Sequence, residues 1–283
     1  ILTKGFESIS SVGEILSSMD IEDNNGKIKL TDLKGDYEFK DVYFSYEDDQ
    51  PLLRGMNLKV NAGETVAFVG ESGSGKTTLL NLIIGFNLPK SGTITVDGHD
   101  ITDIDLHAYR RHISIVPQNS VLFTGTIREN IRYGRLDATD EEVEAAAKAG
   151  CAHHFIQTLP GGYDFVINED ASNISQGQRQ LLTIARAILA NRDILILDEA
   201  TSSVDTRTEE HIQRAMDALM EGRTSFVIAH RLSTIRNADL ILVINNGDII
   251  EQGTHEQLLA QEGFYADLYN SQFASCDDTV EKD

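Results

Sequence analysis

Apolar residues recur along this chain in different rhythms, and each rhythm predicts a different element. In residues 1–20, Leu2, Phe6, Ile9, Val12, Leu16 and Met19 return every three or four positions, the spacing of an amphipathic helix. Residues 20–34 are polar around Asn24-Asn25-Gly26 and read as a linker, so the globular body is expected to start near Asp36. From residue 37 to residue 96 the pattern is mostly that of short strands. Phe39, Val42, Phe44 and Tyr46 fall in alternating runs, residues 65–69 are apolar, and residues 93–96 precede an Asp97-Gly98 turn. Residues 126–190 predict helices, since residues 141–152 are rich in Ala and Glu and Leu181, Ile184, Ala185 and Ile188 share one helical face. The unbroken apolar runs at 194–197, 225–229 and 240–245 predict parallel strands buried on both faces, with a helix at about 206–220 between the first two. Strands alternating with helices give an α/β fold.

Composition narrows the function. The chain has 283 residues, of which 41% are hydrophobic, enough for one large domain or a core with a smaller lobe. Its 45 acidic against 24 basic residues leave a net charge of −21, which repels a phosphate backbone and predicts no nucleic-acid partner. The cysteines, Cys151 and Cys276, lie far apart without metal-ligand spacing, as in a protein of a reducing compartment. No apolar run is long enough to span a bilayer and no signal peptide opens the chain, so a soluble fragment is expected. It opens on Ile1 rather than Met and reads as a piece of a longer polypeptide.

Candidate chemistry begins at Gly70-Glu71-Ser72-Gly73-Ser74-Gly75-Lys76-Thr77, an eight-residue phosphate-loop pattern followed by Thr78. An apolar strand leads in and an apolar helix, at about 77–86, leads out, as the chemistry requires. Glycines let backbone N–H groups curl around an anion, and the helix start adds its positive dipole. Lys76 can reach the β- and γ-phosphates of a nucleotide, and the Thr77 hydroxyl can ligand Mg²⁺. Further on, the buried run 194–197 ends in Asp198-Glu199, a carboxylate pair at the carboxyl end of a strand. Asp198 suits the shell of a metal ion, and Glu199 suits a general base for the attacking water.

Between these segments lies Asn173-Ile174-Ser175-Gln176-Gly177-Gln178-Arg179-Gln180. It resembles the signature motif of ATP-binding cassette (ABC) ATPases, with Ile174 in place of the usual Leu and Gln176 in place of the first Gly. Other motifs agree in order. Tyr46 is similar to the aromatic that stacks on adenine and Gln118 to the Q-loop glutamine, which can ligand Mg²⁺ and orient water. Ser202-Ser203-Val204-Asp205 is similar to the D-loop, and His230 to the switch histidine at the γ-phosphate. Residues 118–130 resemble the Q-loop region of type-IV exporters, and Glu169 stands where exporters carry a coupling residue.

The resemblance implies an ABC ATPase fold over residues 36–275. Its parts would be a RecA-like, mostly parallel sheet, an antiparallel β subdomain and a helical subdomain at about 119–190. Residues 1–35 would be the helix and linker that end a transmembrane domain of the same polypeptide, and 276–283 an acidic tail. It further implies an ATPase using ATP and Mg²⁺, with Glu199, His230 and Gln118 catalytic. Tyr46, Gly70, Ser72, Gly73, Ser74, Gly75, Lys76, Thr77, Thr78 and Gln118 would hold the nucleotide, and Thr77, Gln118 and Asp198 the metal. Ser175, Gly177 and Gln178 would complete the site of a second nucleotide-binding domain, identical or different, at the cytoplasmic face of the cell membrane. The alternative is a soluble ABC ATPase not coupled to transport; such proteins carry a long insertion or two cassettes, whereas this chain has one phosphate loop.

Overall fold

The structure, a computed structural model, describes residues 22–47, 51–198, 205–229 and 232–272. The helix expected in residues 1–20, Glu199, Ser202 to Val204, His230 and the acidic tail lie outside the described residues. The elements begin with β1 (Tyr37–Phe44), β2 (Leu53–Val60), β3 (Thr65–Val69), α1 (Lys76–Ile83), β4 (Ser91–Val96), β5 (His99–Asp100), α2 (Leu106–Arg110) and β6 (Ile113–Val116). Next come β7 (Gly125–Thr126), α3 (Ile127–Arg132), α4 (Asp140–Ala149), α5 (His153–Thr158), β8 (Val166–Ile167) and α6 (Gln176–Ala190). The order closes with β9 (Ile194–Asp198), α7 (Thr206–Met220), β10 (Thr224–Ile228), α8 (Leu232–Asn237), β11 (Leu240–Asn245), β12 (Asp248–Gly253), α9 (His255–Ala260) and α10 (Phe264–Gln272).

The expected α/β class is what forms. A six-stranded sheet runs β12-β11-β3-β10-β9-β6, parallel except for β12, beside a four-stranded antiparallel sheet β2-β1-β4-β5. The unbroken apolar runs are explained by burial on both faces of the large sheet. Ala67, Val69, Leu195, Leu197, Val227, Ile241 and Val243 enter one core, which also holds the helices α3 to α7. Their neighbours Val66, Phe68, Ile194, Ile196, Phe226, Leu242 and Ile244 enter the other, shared with α1 and the antiparallel sheet. Successive side chains of a strand point to opposite faces, so a strand covered on both sides must be apolar throughout.

The stretch expected as a linker is packed down at its far end. Leu33 is buried in the second core, Ile28 bridges to Ile104, and Leu30 packs nearby. The Asp97 carboxylate accepts the backbone N–H groups of Lys34 (2.7 Å), Gly35 (3.1 Å) and Asp36 (2.8 Å). Across the molecule, the Thr224 hydroxyl donates to the Gly35 carbonyl (3.1 Å) and accepts from the Gly63 N–H (2.9 Å). Gly35 is required there: its φ is +92°, and a Cβ would lie 2.5 Å from the Thr224 hydroxyl. Ordered packing therefore begins before Asp36, carried by two leucines among polar residues.

In the helical region, α3, α4 and α6 each start on a capping box, formed by Thr126 with Glu129, Thr139 with Glu142, and Ser175 with Gln178. Arg186 of α6 ties this region to the loop after β6. It donates to the carbonyls of Val121 (2.9 Å) and Asn130 (2.9 Å), and its guanidinium lies over the rings of Phe123 and Tyr133.

Candidate nucleotide site

The parallel register aligns the carboxyl ends of four strands. Phe68 of β3 pairs with Ile228 of β10, Ile228 with Asp198 of β9, and Leu197 of β9 with Val116 of β6. The phosphate loop, Asp198 and Gln118 therefore leave the sheet along one edge, where ligands of open α/β sheets bind.

The loop from Gly70 to Thr77 has the backbone that its glycines allow. Gly70, Gly73 and Gly75 have φ of +152°, +80° and +109°, and Gly75 is the left-handed cap of α1. No side chain caps α1, and its first turn carries no acidic residue. Ser72, Gly73 and Thr77 are exposed, and nothing lies within 4 Å of a Cβ built on Gly73, so the tip of the loop borders open space, while the Ser74 N–H closes a turn onto the Glu71 carbonyl (3.2 Å). Lys76 folds back over the loop, its Nζ donating to the carbonyls of Gly70 (2.8 Å) and Glu71 (2.7 Å). Burial holds its ammonium below the ordinary lysine value, and the Asp198 carboxylate opposes that shift. Ser74 and Thr78 are buried and form the underside. A flexible-backbone cradle with one cation and an uncapped helix start is the donor set that a chain of phosphates requires.

The cradle is braced from outside. The turn between β11 and β12 lies against it, with the Gly247 N–H donating to the Ser74 carbonyl (2.9 Å). At Gly70 a Cβ would stand 2.2 Å from the Ile244 carbonyl oxygen, and at Gly247 it would stand 1.5 Å from that of Leu52. Gly247 also sits at φ +85°. We expect Gly247→Ala to destabilise the fold by about 2–3 kcal/mol through backbone strain, read as a lowered denaturation midpoint. An unchanged midpoint would mean that the turn does not lie tight against the Leu52 carbonyl.

Tyr46 lies two residues beyond the end of β1 rather than on the strand, and the residue is 62% exposed. Gln118 is exposed and lines a small cavity of about 100 Å³ with Asn119, Ser120, Gln176, Arg179 and Gln180, so its loop faces the first turn of α6. Ser175, Gly177 and Gln178 belong to that turn and are not brought to the phosphate loop. The Ser175 hydroxyl accepts the Gln178 N–H (3.2 Å), and the Gln178 side chain accepts the Ser175 N–H (2.9 Å). Among the described residues, no hydrogen bond joins these three to residues 70–77. Ile174 is buried in the helical core. Glu169 is exposed in a turn. Among the described residues, no cluster of three or more His, Cys, Asp or Glu could hold a metal. The sequence reading did not single out Gly247, which braces the loop, or Asn81 and Asn87, which touch Tyr46. A polar Asn81 between the apolar pairs Leu79-Leu80 and Leu82-Ile83 was the available signal.

A parallel α/β sheet with a glycine loop between strand and helix, and a carboxylate ending a nearby strand, defines a phosphate-loop nucleotide-binding protein. The ABC transporter family model matches residues 53–202, and the chain belongs to that family. It is 54% identical over 252 residues to an ABC transporter ATP-binding protein of Bacillus subtilis, covering 89% of this chain and 42% of that protein. Identity to the ATP-dependent lipid A-core flippase of Saccharophagus degradans is 48% over 274 residues, 97% of this chain and 47% of the relative. The solved structure of a bacterial Atm1-family ABC exporter with ATP bound superposes with a TM-score of 0.87 at 40% identity, over 96% of this chain and 48% of that one. The chain thus spans less than half the length of these relatives.

Proposed function

We propose that the chain is the ATP-binding and ATP-hydrolysing motor domain of an ABC exporter. The observation that carries this is a pair of half-sites that, among the described residues, no hydrogen bond joins. One is the cradle of residues 70–77 with Asp198 on the same sheet edge; the other is the head of α6 with Ser175, which the Gln118 loop faces. A nucleotide needs both halves, so two domains would close head-to-tail and share them. The partner would be a second such domain, identical or different, and a transmembrane domain of the same polypeptide would be driven at the cytoplasmic face of the membrane. The family membership and the exporter and flippase relatives support this assembly.

The roles follow from the chemistry at each position. Tyr46 offers an aromatic face to the base, and Lys76 with the loop N–H groups binds the phosphates. Thr77, Gln118 and Asp198 offer a hydroxyl, an amide and a carboxylate oxygen, hard donors that suit Mg²⁺. That ion, when bound, would neutralise charge on the phosphate oxygens. Glu199 would take a proton from the attacking water, and His230 would hold the γ-phosphate.

Mixing two inactive variants tests the shared site. Lys76→Ala chains and Ser175→Arg chains should each be silent alone, while their mixture should regain part of the ATPase activity. In a mixed dimer one site joins the intact loop of one chain to the intact α6 head of the other. Phosphate release measures the outcome, and cross-linking with ATP counts mixed dimers. Mixed dimers that form and release no phosphate would overturn the shared site.

A further inference from the structure

We propose that Asn81 and Asn87 are positioning residues that hold the Tyr46 ring ready for the base, an inference that rests on the reading of Tyr46 given above. An aromatic side chain this exposed ordinarily samples several rotamers. Tyr46 is instead held at both ends while the residue stays 62% exposed. The ring meets Phe44 edge-on, with centroids 5.0 Å apart and planes at 88°, and Phe44 is itself buried in the core at the end of β1. At the far end, the phenol oxygen accepts from the side-chain amides of Asn87 (3.2 Å) and Asn81 (3.5 Å). Hydrogen bonds to Tyr46, first from Thr78 and then from Asn81, lower its phenol below the ordinary tyrosine value.

The two amides converge because of how α1 ends. Gly85, at φ +72°, turns the chain back on itself; its N–H reaches the Leu82 carbonyl (3.1 Å), and the Phe86 N–H reaches that of Asn81 (2.9 Å). This is a Schellman cap. The Asn87 N–H also bonds the Asn81 carbonyl (3.1 Å), which sets the two side chains side by side over one phenol. α1 thus carries the phosphate cradle at its start and the anchor of the aromatic platform at its end. A ring fixed before the ligand arrives loses less side-chain freedom on stacking, so the anchor should appear as affinity for the base portion of the ligand.

The test uses Asn81→Ala with Asn87→Ala, Tyr46→Phe, the combination of all three, and Tyr46→Ala as reference. Alanine at position 81 preserves the helix, because alanine has the highest helix propensity. Calorimetric titration of the Asn pair variant should show ATP affinity lowered about 3- to 10-fold, with inorganic triphosphate affinity unchanged. Tyr46→Phe should lose a similar amount, and the combination should lose no more than either. In ring-labelled protein, the Tyr46 resonance, assigned by its absence from Tyr46→Phe, should titrate at higher pH in the Asn pair variant. ATP affinity retained by the pair variant while Tyr46→Ala loses it would overturn the anchor alone, as would losses that add in full. If Tyr46→Ala keeps ATP affinity, base stacking falls and the anchor falls with it.

Discussion

Replacing Lys76 with alanine is expected to lower ATP affinity by about 10²- to 10⁴-fold, and turnover with it. Its Nζ rests 2.8 and 2.7 Å from the carbonyls of Gly70 and Glu71, at the mouth of a loop whose other donors are neutral N–H groups. Two charge-assisted hydrogen bonds to phosphate oxygens would be lost, each worth about 1.5–3 kcal/mol. The fold should be spared, because the carbonyls left behind lie beside an exposed loop and water can replace the ammonium. A calorimetric titration and a thermal melt separate the two effects. Wild-type affinity for ATP in the variant would show that the cradle binds phosphate without the lysine, and the assignment of the site would have to change.

Glu199→Gln is expected to do the reverse, keeping ATP binding while cutting turnover by about 10²- to 10⁴-fold. Asp198 ends β9 opposite Ile228, on the same sheet edge as the phosphate loop, and Glu199 is the next residue in the chain. Glutamine has nearly the shape of glutamate and no basic oxygen, so it can hold a water and cannot take its proton. ATP affinity should therefore stay close to wild type while phosphate release nearly stops. Near-wild-type release by this variant would transfer the role of base to another group.

The parts of the fold legible in sequence are those where a single pattern decides the outcome. β11 and α7 form where the apolar run and the helical spacing place them, because each is bounded by polar or turn residues. α1 stops at Ile83 rather than near residue 86, since Gly85 adopts a left-handed φ that its neighbours do not announce. β7 and β8 have two residues each, too few for a period to show. The packing of Leu30 and Leu33 was hidden for a related reason: isolated leucines among charged residues look like a linker until a surface is there to receive them. In the site, the cradle and Asp198 were readable from local spacing and topology, while Tyr46 and Gln118 were reached through resemblance. The roles of Ser175 and His230 came through resemblance, while Gly247 and the two asparagines depend on contacts between distant segments. No local pattern encodes those.

The stitching of residues 34–36 has a mechanical consequence. Gly35 is gripped from one side by Asp97, at the turn between β4 and β5, and from the other by Thr224, the first residue of β10. That short segment therefore spans the seam between the two sheets as a rivet. It cannot slide along its own axis without dragging the first residue of β10 or breaking its hold. β10 is bonded along its length to β3 on one side and β9 on the other, so it is stiff in tension. Its far end, about 13 Å away at the usual strand rise, lies between the strands that carry the phosphate loop and Asp198. A load on the segment ahead of Asp36 would thus reach, through one strand, the gap between the phosphate loop and Asp198.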